Sequence, residues 1–192
     1  FMMGGAVGLA VLASLAAAGY RLVVIDSRQE AADAAVATLG DVDARAFAVD
    51  LLDVDAVVAL RERILDDLGR VDAVIHLVGG WRGGRTLSVS SVEDWQALHP
   101  PIVGTFAALT AVFGPDVKAS PVGRVVMVTS TAAATPTAGN IAYAAAKSAA
   151  EAWTAGVAHF LRDSDGAAVV VAVKALLTDA MAAAEPERDW SG

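Results

Sequence analysis

The feature that most constrains this chain is an alternation: short runs of Val, Ile and Leu recur along it, separated by longer Ala-rich stretches. The runs at 21–26, 45–50, 71–78, 124–130 and 168–173 are continuously apolar, as strands covered on both faces are, and too short for buried helices. The stretches at 8–19, 29–39, 53–68, 91–113 and 143–162 are long enough for helices. Strand and helix alternating in this way predict α/β architecture, a doubly wound parallel sheet with helices on both faces. No repeat, linker or charge block marks a second domain. Both ends read as incomplete, since a first strand would have to lie in Phe1-Met2-Met3 and no closing strand follows Trp190.

Composition narrows the partners. Acidic residues outnumber basic ones by 22 to 14, a net charge of −8 that repels phosphate backbones and anionic membrane surfaces, so small molecules are expected rather than nucleic acid. Cysteine is absent, which excludes a disulfide framework, a thiolate metal site and a Cys nucleophile and fits a cytoplasmic protein. Phe1 to Tyr20 carries no charge and has the length of a membrane span. Three glycines at its start, the lack of a preceding basic residue and the strand-like Leu22-Val23-Val24-Ile25-Asp26 that follows argue against a membrane or signal segment.

The turn Gly4-Gly5-Ala6-Val7-Gly8-Leu9-Ala10 joins a strand remnant to an Ala-rich helix. Glycines there let the backbone approach a pyrophosphate, and the helix N-terminus offers free N–H groups, although small-residue turns also serve plain packing. Asp26, about twenty residues on, ends a strand where a carboxylate accepts hydrogen bonds from a ribose diol and repels a 2′-phosphate. That pairing points to a Rossmann-type site and to NAD as cofactor. Arg28 could soften the preference or stand as a solvated charge at a helix start. Asp50, followed by Leu51, could contact an adenine or cap the helix that begins near 53.

Ser130, Tyr143 and Lys147 form a second group. Tyr143 and Lys147, four residues apart on an Ala-rich helix, lie on one face a turn from each other. An ammonium so close stabilises a tyrosinate. Ser130 ends the apolar run Val125-Val126-Met127-Val128 and would present its hydroxyl at the carboxyl edge of the sheet, where open α/β sheets bind ligands.

Taken together these residues resemble the short-chain dehydrogenase/reductases, over nearly the whole chain. The resemblance rests on the TGxxxGxG-like turn at Met3-Gly4-Gly5-Ala6-Val7-Gly8-Leu9-Ala10, on Asp26 and Asp50-Leu51, on Ser130 with Tyr143 thirteen residues later, on the YxxxK of Tyr143 and Lys147, and on Thr178-Asp179. It implies an NAD(H)-dependent oxidoreductase that moves hydride between nicotinamide and a carbonyl or secondary alcohol. Tyr143 would be the general acid/base, Lys147 would stabilise its anionic form and hold the nicotinamide ribose, and Ser130 would orient the carbonyl. Gly4, Gly8, Leu9, Asp26, Asp50, Leu51, Gly79, Tyr143, Lys147 and Thr178 would line the cofactor. The unit expected is residues 1–192 as one dinucleotide-binding and catalytic domain, missing part of its first strand and its C-terminal strand.

The departures fall in the same places. The family's NNAG segment reads His76-Leu77-Val78-Gly79; the helical Asn of its proton relay is Pro101, preceded by Pro100; its Pro-Gly turn after the sixth strand aligns with Val173-Lys174; Met3 stands for the usual Thr. Two prolines in succession predict a break or kink between two helical pieces. These changes leave a second reading open, a nucleotide-binding or oligomer-forming protein on the same fold without turnover. His76 reads as a core or sheet-end histidine, and the isolation of His99 and His159 gives no metal site. Trp81-Arg82-Gly83-Gly84-Arg85 reads as a surface loop or as a contact for an anionic substrate. The apolar faces of 102–113 and 143–161 could build the core or pair with another copy in a homodimer or homotetramer.

Overall fold

The computed structural model describes residues 5–174, with side chains from Gly8 onward. Five parallel strands, β1 (Leu22–Asp26), β2 (Ala44–Ala48), β3 (Ala73–His76), β4 (Arg124–Ser130) and β5 (Ala167–Val173), alternate with α1 (Gly5–Ala17), α2 (Gln29–Ala37), α3 (Val54–Leu68), α4 (Ser90–His99), α5 (Thr105–Ala119) and α6 (Ile141–Leu161). β1 pairs with β2 in register Leu22 to Ala44, and β4 is flanked by β3 and β5, with Val125 opposite Val74 and Ala168. This is the Rossmann-like α/β fold of the alternating pattern. β3 is shorter than the apolar run at 71–78. β2 ends at Ala48, so Asp50 lies beyond the strand, although the Val49 N–H still reaches the Asp26 carbonyl at 2.9 Å.

A cavity of about 510 Å³ separates the two blocks of the sheet, lined by Leu22, Val23 and Ile25 of β1 and by Ala73, Val74 and Ile75 of β3. The main core runs beneath both. It takes Ile25 from β1, Val57, Leu60 and Ile64 from α3, Val74 from β3, Val125 and Met127 from β4, and a stripe from the segment ending in α5. That stripe, Ile102, Phe106, Leu109, Phe113 and Val117, is spaced by threes and fours, the helical face that meets a sheet. A smaller core of Leu12, Leu22, Val24, Ala32 and Ala35 joins α1 and α2 to the other face of β1.

Local chemistry sets the ends. Asp53, and not Asp50, caps α3: its carboxylate accepts from the Ala56 N–H at 3.1 Å, and Gly69, at φ +80°, closes the helix in the left-handed region. Both carboxylates precede the helix, but only the residue immediately before it reaches the free N–H groups of the first turn. At Pro100-Pro101, where a break or kink between two helical pieces is expected, the α ladder gives way to a π turn, Pro100–Gly104, between α4 and α5, and the backbone stays helical from Ser90 to Ala119. In an α ladder the two proline rings would meet the carbonyls of Gln96 and Ala97 and supply no N–H; the wider turn, with the Thr105 N–H bonded to the Pro100 carbonyl, accommodates both. This helical run is long and apolar enough to cross a membrane, yet Leu98, Ile102, Phe106, Leu109, Phe113 and Val117 on it are core residues. α1 spans 13 residues, short of a bilayer. Among the described residues β5 pairs with β4 alone, and Val169, Val170 and Val171 are exposed there.

Candidate active site

Parallel strands place all their carboxyl ends on one edge, and the segments leaving that edge carry the candidate residues. Ser130, the last residue of β4, is buried, and its Oγ accepts from the Ala132 N–H at 3.2 Å, capping a single 3-10 turn at Thr131–Ala133. Tyr143 sits in the first turn of α6, half-buried against the main core, and its hydroxyl has no hydrogen-bond partner among the described residues. One turn later Lys147 is buried, donating from Nζ to the Val128 carbonyl at 2.9 Å, two residues before Ser130. Its Nζ lies 5.8 Å from the centre of the Tyr143 ring. The hydrogen bond to β4 thus fixes the helix carrying Tyr143 and Lys147 against the strand end carrying Ser130. Burial pulls the Lys147 ammonium down from 10.5 to about 8, opposed by the carboxylate of Glu151 on the next turn.

Gly79 adjoins this group from the β3 side. Its φ is +151°, and a Cβ there would come within 3.2 Å of Ile102 Cγ1 and 3.8 Å of Lys147 Nζ, so glycine keeps the space in front of the ammonium clear. His76, at the end of β3, is fully buried as the reading of a sheet-end core histidine expects. Its Nε2 lies 2.8 Å from Thr105 Oγ1, whose hydroxyl donates to the Pro101 carbonyl at 2.7 Å. A hydroxyl has one proton, so Nε2 carries the hydrogen of the neutral ring and Nδ1 is left as a buried acceptor without a partner. Burial, and then the charge of Lys147, lower the His76 pKa from 6.5 to about 3.

The second part of the edge belongs to β1 and β2. Asp26 ends β1, and its Oδ1 accepts from the Arg28 N–H at 3.1 Å and the Ser27 hydroxyl at 3.4 Å. Arg28 is the exposed N-cap of α2. Asp50 is exposed, its Oδ1 taken by the Leu52 N–H at 3.0 Å, and the Leu51 side chain is buried in the main core. Gly8 is buried within α1 and Leu9 packs on the smaller core. Gly4 and Thr178 lie outside the described residues, as do Met3 and Asp179. Val173 ends β5 and Lys174 after it is exposed. Sequence reasoning passed over Thr105, Thr129 and Glu151. Glu151 continues the four-residue spacing of Tyr143 and Lys147 and accepts from the buried Thr129 hydroxyl at 2.6 Å. That spacing was the available signal.

The profile of the short chain dehydrogenase family matches residues 2–189. The chain belongs to that family. Membership makes it an oxidoreductase of the kind that works with a nicotinamide dinucleotide. Among curated relatives, the 7alpha-hydroxysteroid dehydrogenase of Escherichia coli is 27% identical over 180 residues, 93% of this chain and 70% of that enzyme. A short-chain dehydrogenase structure from Streptomyces avermitilis superposes with a TM-score of 0.79 at 27% identity, covering 94% of this chain and 67% of that one. A family structure from Burkholderia phymatum, solved in complex with NAD, superposes with a TM-score of 0.81 at 24% identity, over 99% of this chain and 70% of that one.

The residues present suit a dinucleotide. Lys147 has a single acceptor among the described residues for three ammonium hydrogens, Gly79 leaves room beside it, and Asp26 presents a carboxylate at the strand edge whose Oδ2 makes no hydrogen bond there.

Proposed function

We propose that this protein interconverts a carbonyl and a secondary alcohol with NAD(H), and that Tyr143 is its general acid/base. The observation that carries the reading is the buried Lys147 held between the Val128 carbonyl and the Tyr143 ring. Burial of a cation at the sheet edge is opposed by desolvation, and the hydrogen bond to Val128 that ties α6 to β4 needs no full charge. The use of the charge is to stabilise negative charge on the neighbouring phenol. The bound cofactor supplies or takes up hydride at the carbonyl carbon. In the reducing direction Tyr143 gives its hydroxyl proton to the substrate oxygen, and Lys147 holds the resulting phenolate by charge. Ser130 donates to the same oxygen and so fixes the carbonyl between its hydroxyl and that of Tyr143. Lys147 and Asp26 would hold the two riboses, with the backbone after Gly79 beside the first and Asp50 and Leu51 near the adenine. The preference for NAD over NADP follows from the charge of Asp26.

The reading treats residues 1–192 as one dinucleotide-binding and catalytic domain that lacks part of its first strand and its C-terminal strand. It also makes the protein a cytoplasmic homo-oligomer. The outer faces of α5 and α6 form an apolar hollow of about 730 Å³ whose lining includes Ala111, Pro115, Trp153, Gly156 and Phe160, with Trp153 and Phe160 close to half exposed. A second copy is the occupant proposed for it, and sedimentation of wild type beside Trp153→Glu would show it as a shift to monomer.

Tyr143→Phe is the direct test. Followed by NADH absorbance at 340 nm across a panel of ketones, quinones and acyl ketones, the variant should lose activity by about 10² to 10⁴ while binding NADH with nearly wild-type affinity. Equal turnover by variant and wild type would remove Tyr143 from the chemistry.

A further inference from the structure

Two loops at the carboxyl edge of the sheet are stitched together by glycines. The Gly84 N–H donates to the Gly139 carbonyl at 2.8 Å. A Cβ on Gly83 would lie 2.6 Å from that carbonyl oxygen and 2.9 Å from the Trp81 ring, and a Cβ on Gly139 would lie 2.3 Å from the Gly84 oxygen. No side chain fits at either place. The loop leaving β3 therefore starts beside Lys147 at Gly79 and is fastened, five residues later, to the segment that leads into Asn140 and the first turn of α6. It bridges from the ammonium to the start of the helix that carries Tyr143. Arg82 sits within the bridge and Arg85 one residue past the stitch.

Both arginines are exposed, and neither has an ion-pair or hydrogen-bond partner among the described residues. Elsewhere Arg45, Arg61, Arg70 and Arg162 each hold an aspartate, Arg21 and Arg124 hold backbone carbonyls and Arg63 lies on the Phe47 ring, whereas the Arg28 guanidinium shares the unpaired state of Arg82 and Arg85 among the described residues. Residues 77–92 and 130–150 contain Arg82, Arg85 and Lys147 and no Asp or Glu, in a chain with 22 acidic residues. The next acids along the chain are Glu93, Asp94 and the Glu151 that faces Lys147. A pinned loop that runs from Gly79, beside Lys147, to the segment leading into α6 and carries two guanidinium groups without an acid partner among the described residues suits negative charge.

We propose that the substrate is an anionic carbonyl compound, whose carboxylate or phosphate is held by Arg82 and Arg85 while its carbonyl oxygen meets Tyr143. This rests on the reading of Ser130, Tyr143 and Lys147 as the reducing site. Hydride from the reduced nicotinamide goes to the carbonyl carbon, the Tyr143 proton goes to the oxygen, and the anionic group is unchanged.

Matched pairs test it: acetoacetate against its methyl ester and 4-oxopentanoate against its methyl ester for the carboxylate, dihydroxyacetone phosphate against dihydroxyacetone for the phosphate. With NADH, kcat/KM should favour the anionic member of at least one pair by about tenfold or more, as charge-assisted bidentate contacts allow. In the Arg82→Gln/Arg85→Gln variant that advantage should shrink to within about twofold, through KM, with NADH affinity and the neutral members unaffected. Neutral members reduced equally well or better overturn the proposal and leave the redox reading standing, as does a double variant that slows both members alike or loses NADH affinity instead. If no pair is reduced although NADH binds, the redox reading is the one in trouble. Calorimetric titration of the same pairs into the NADH complex then judges the arginines alone: anion binding lost in the double variant supports them, and binding that is absent or indifferent to charge overturns them.

Discussion

The two blocks of the sheet are held together by different means. One face of β1 and β2 packs on the small apolar cluster of Leu12, Leu22, Val24, Ala32 and Ala35 and the other on the edge of the main core, and the candidate site groups Asp26 and Asp50 are half-buried and exposed carboxylates. Around β3, β4 and β5 the interior is large and carries every buried polar side chain among the described residues: His76, Thr105, Thr110, Ser120, Thr129, Ser130, Lys147 and Thr154. Each of these except His76 Nδ1 finds a partner. The block of β1 and β2, to which the proposed function assigns the nucleotide, thus presents its candidate groups on a finished scaffold, whereas in the other block the candidate catalytic groups belong to the core. Substitutions in the second block should therefore move activity and stability together, and in opposite directions where a buried charge is removed.

Lys147→Met breaks the comparison hardest. Turnover should fall by about 10² to 10⁴, and NADH binding should weaken as well, since the ammonium is assigned to both phenolate and ribose. Stability should move the other way. Lys147 is protonated in the folded protein below about 8 and in the unfolded chain below 10.5, so folding carries the full desolvation penalty at pH 7. Methionine of similar length removes it, and the variant should be more stable at pH 7 by about 1–3 kcal/mol in urea unfolding. Between pH 8 and 10.5 the unfolded wild type holds more protons than the folded one, wild-type stability rises with pH, and the gap should close. A variant less stable than wild type at pH 7 would show that the Val128 hydrogen bond outweighs the burial of charge.

His76→Gln is next. Wild-type His76 stays neutral in the fold down to about pH 3 while the unfolded chain takes up a proton below 6.5. The unfolded state binds more protons in that window, so stability falls as pH falls through it, by about 2–3 kcal/mol between pH 7 and 4.5 from this residue alone. Glutamine can still donate toward Thr105 and does not titrate. The difference between wild type and variant should therefore change by that amount over the window, on top of the carboxylate titrations the two share. A difference independent of pH would place His76 in contact with water.

How much of this was legible follows the same division. The parallel sheet and the helix positions were readable because burial on both faces leaves continuous apolar runs, and Tyr143 and Lys147 were readable because i, i+4 spacing fixes a shared helix face. What failed depended on groups far apart in sequence or on a choice between near equivalents. Asp50 and Asp53 both precede α3, and only the geometry of the turn selects Asp53 as the cap. Pro100-Pro101 marks where the α ladder is interrupted, but propensities describe that ladder alone and do not give the wider turn that replaces it. Thr129 and Thr105 look like ordinary strand and helix residues until Glu151 and His76 arrive from other elements.

In the block of β1 and β2 the effects should be smaller and confined to cofactor choice. Asp26 is expected to make NADH bind about tenfold tighter than NADPH, or about 1.4 kcal/mol, by accepting ribose hydroxyls and repelling a 2′-phosphate. Asp26→Ser should erase the difference with little change in unfolding free energy, because the carboxylate is tied only to Ser27 and the Arg28 N–H beside it. Calorimetric titration of both dinucleotides decides it. NADPH binding as tightly as NADH to wild type would hand control of the site to Arg28.

The smallest effect is expected where the sequence departs most visibly, at Pro101→Asn. The position looks decisive, since a polar relay residue is replaced by one with neither an N–H nor a polar side chain. Yet the turn around it is held by neighbours. Thr105 donates to the residue 101 carbonyl, His76 donates to Thr105, and Ile102 is fully buried against Gly79. These contacts use the backbone oxygen and adjacent side chains, all of which survive the substitution. Asparagine restores an N–H that an α ladder could use, but reverting the π turn would rotate Thr105 away from His76 and leave a second buried nitrogen without a partner, at about 1–3 kcal/mol. The wide turn should therefore persist, with unfolding free energy changed by less than about 1 kcal/mol and kcat/KM by less than about threefold. A rise of tenfold or more in kcat would show instead that the block on the catalytic side lacks a proton path that this one side chain can supply.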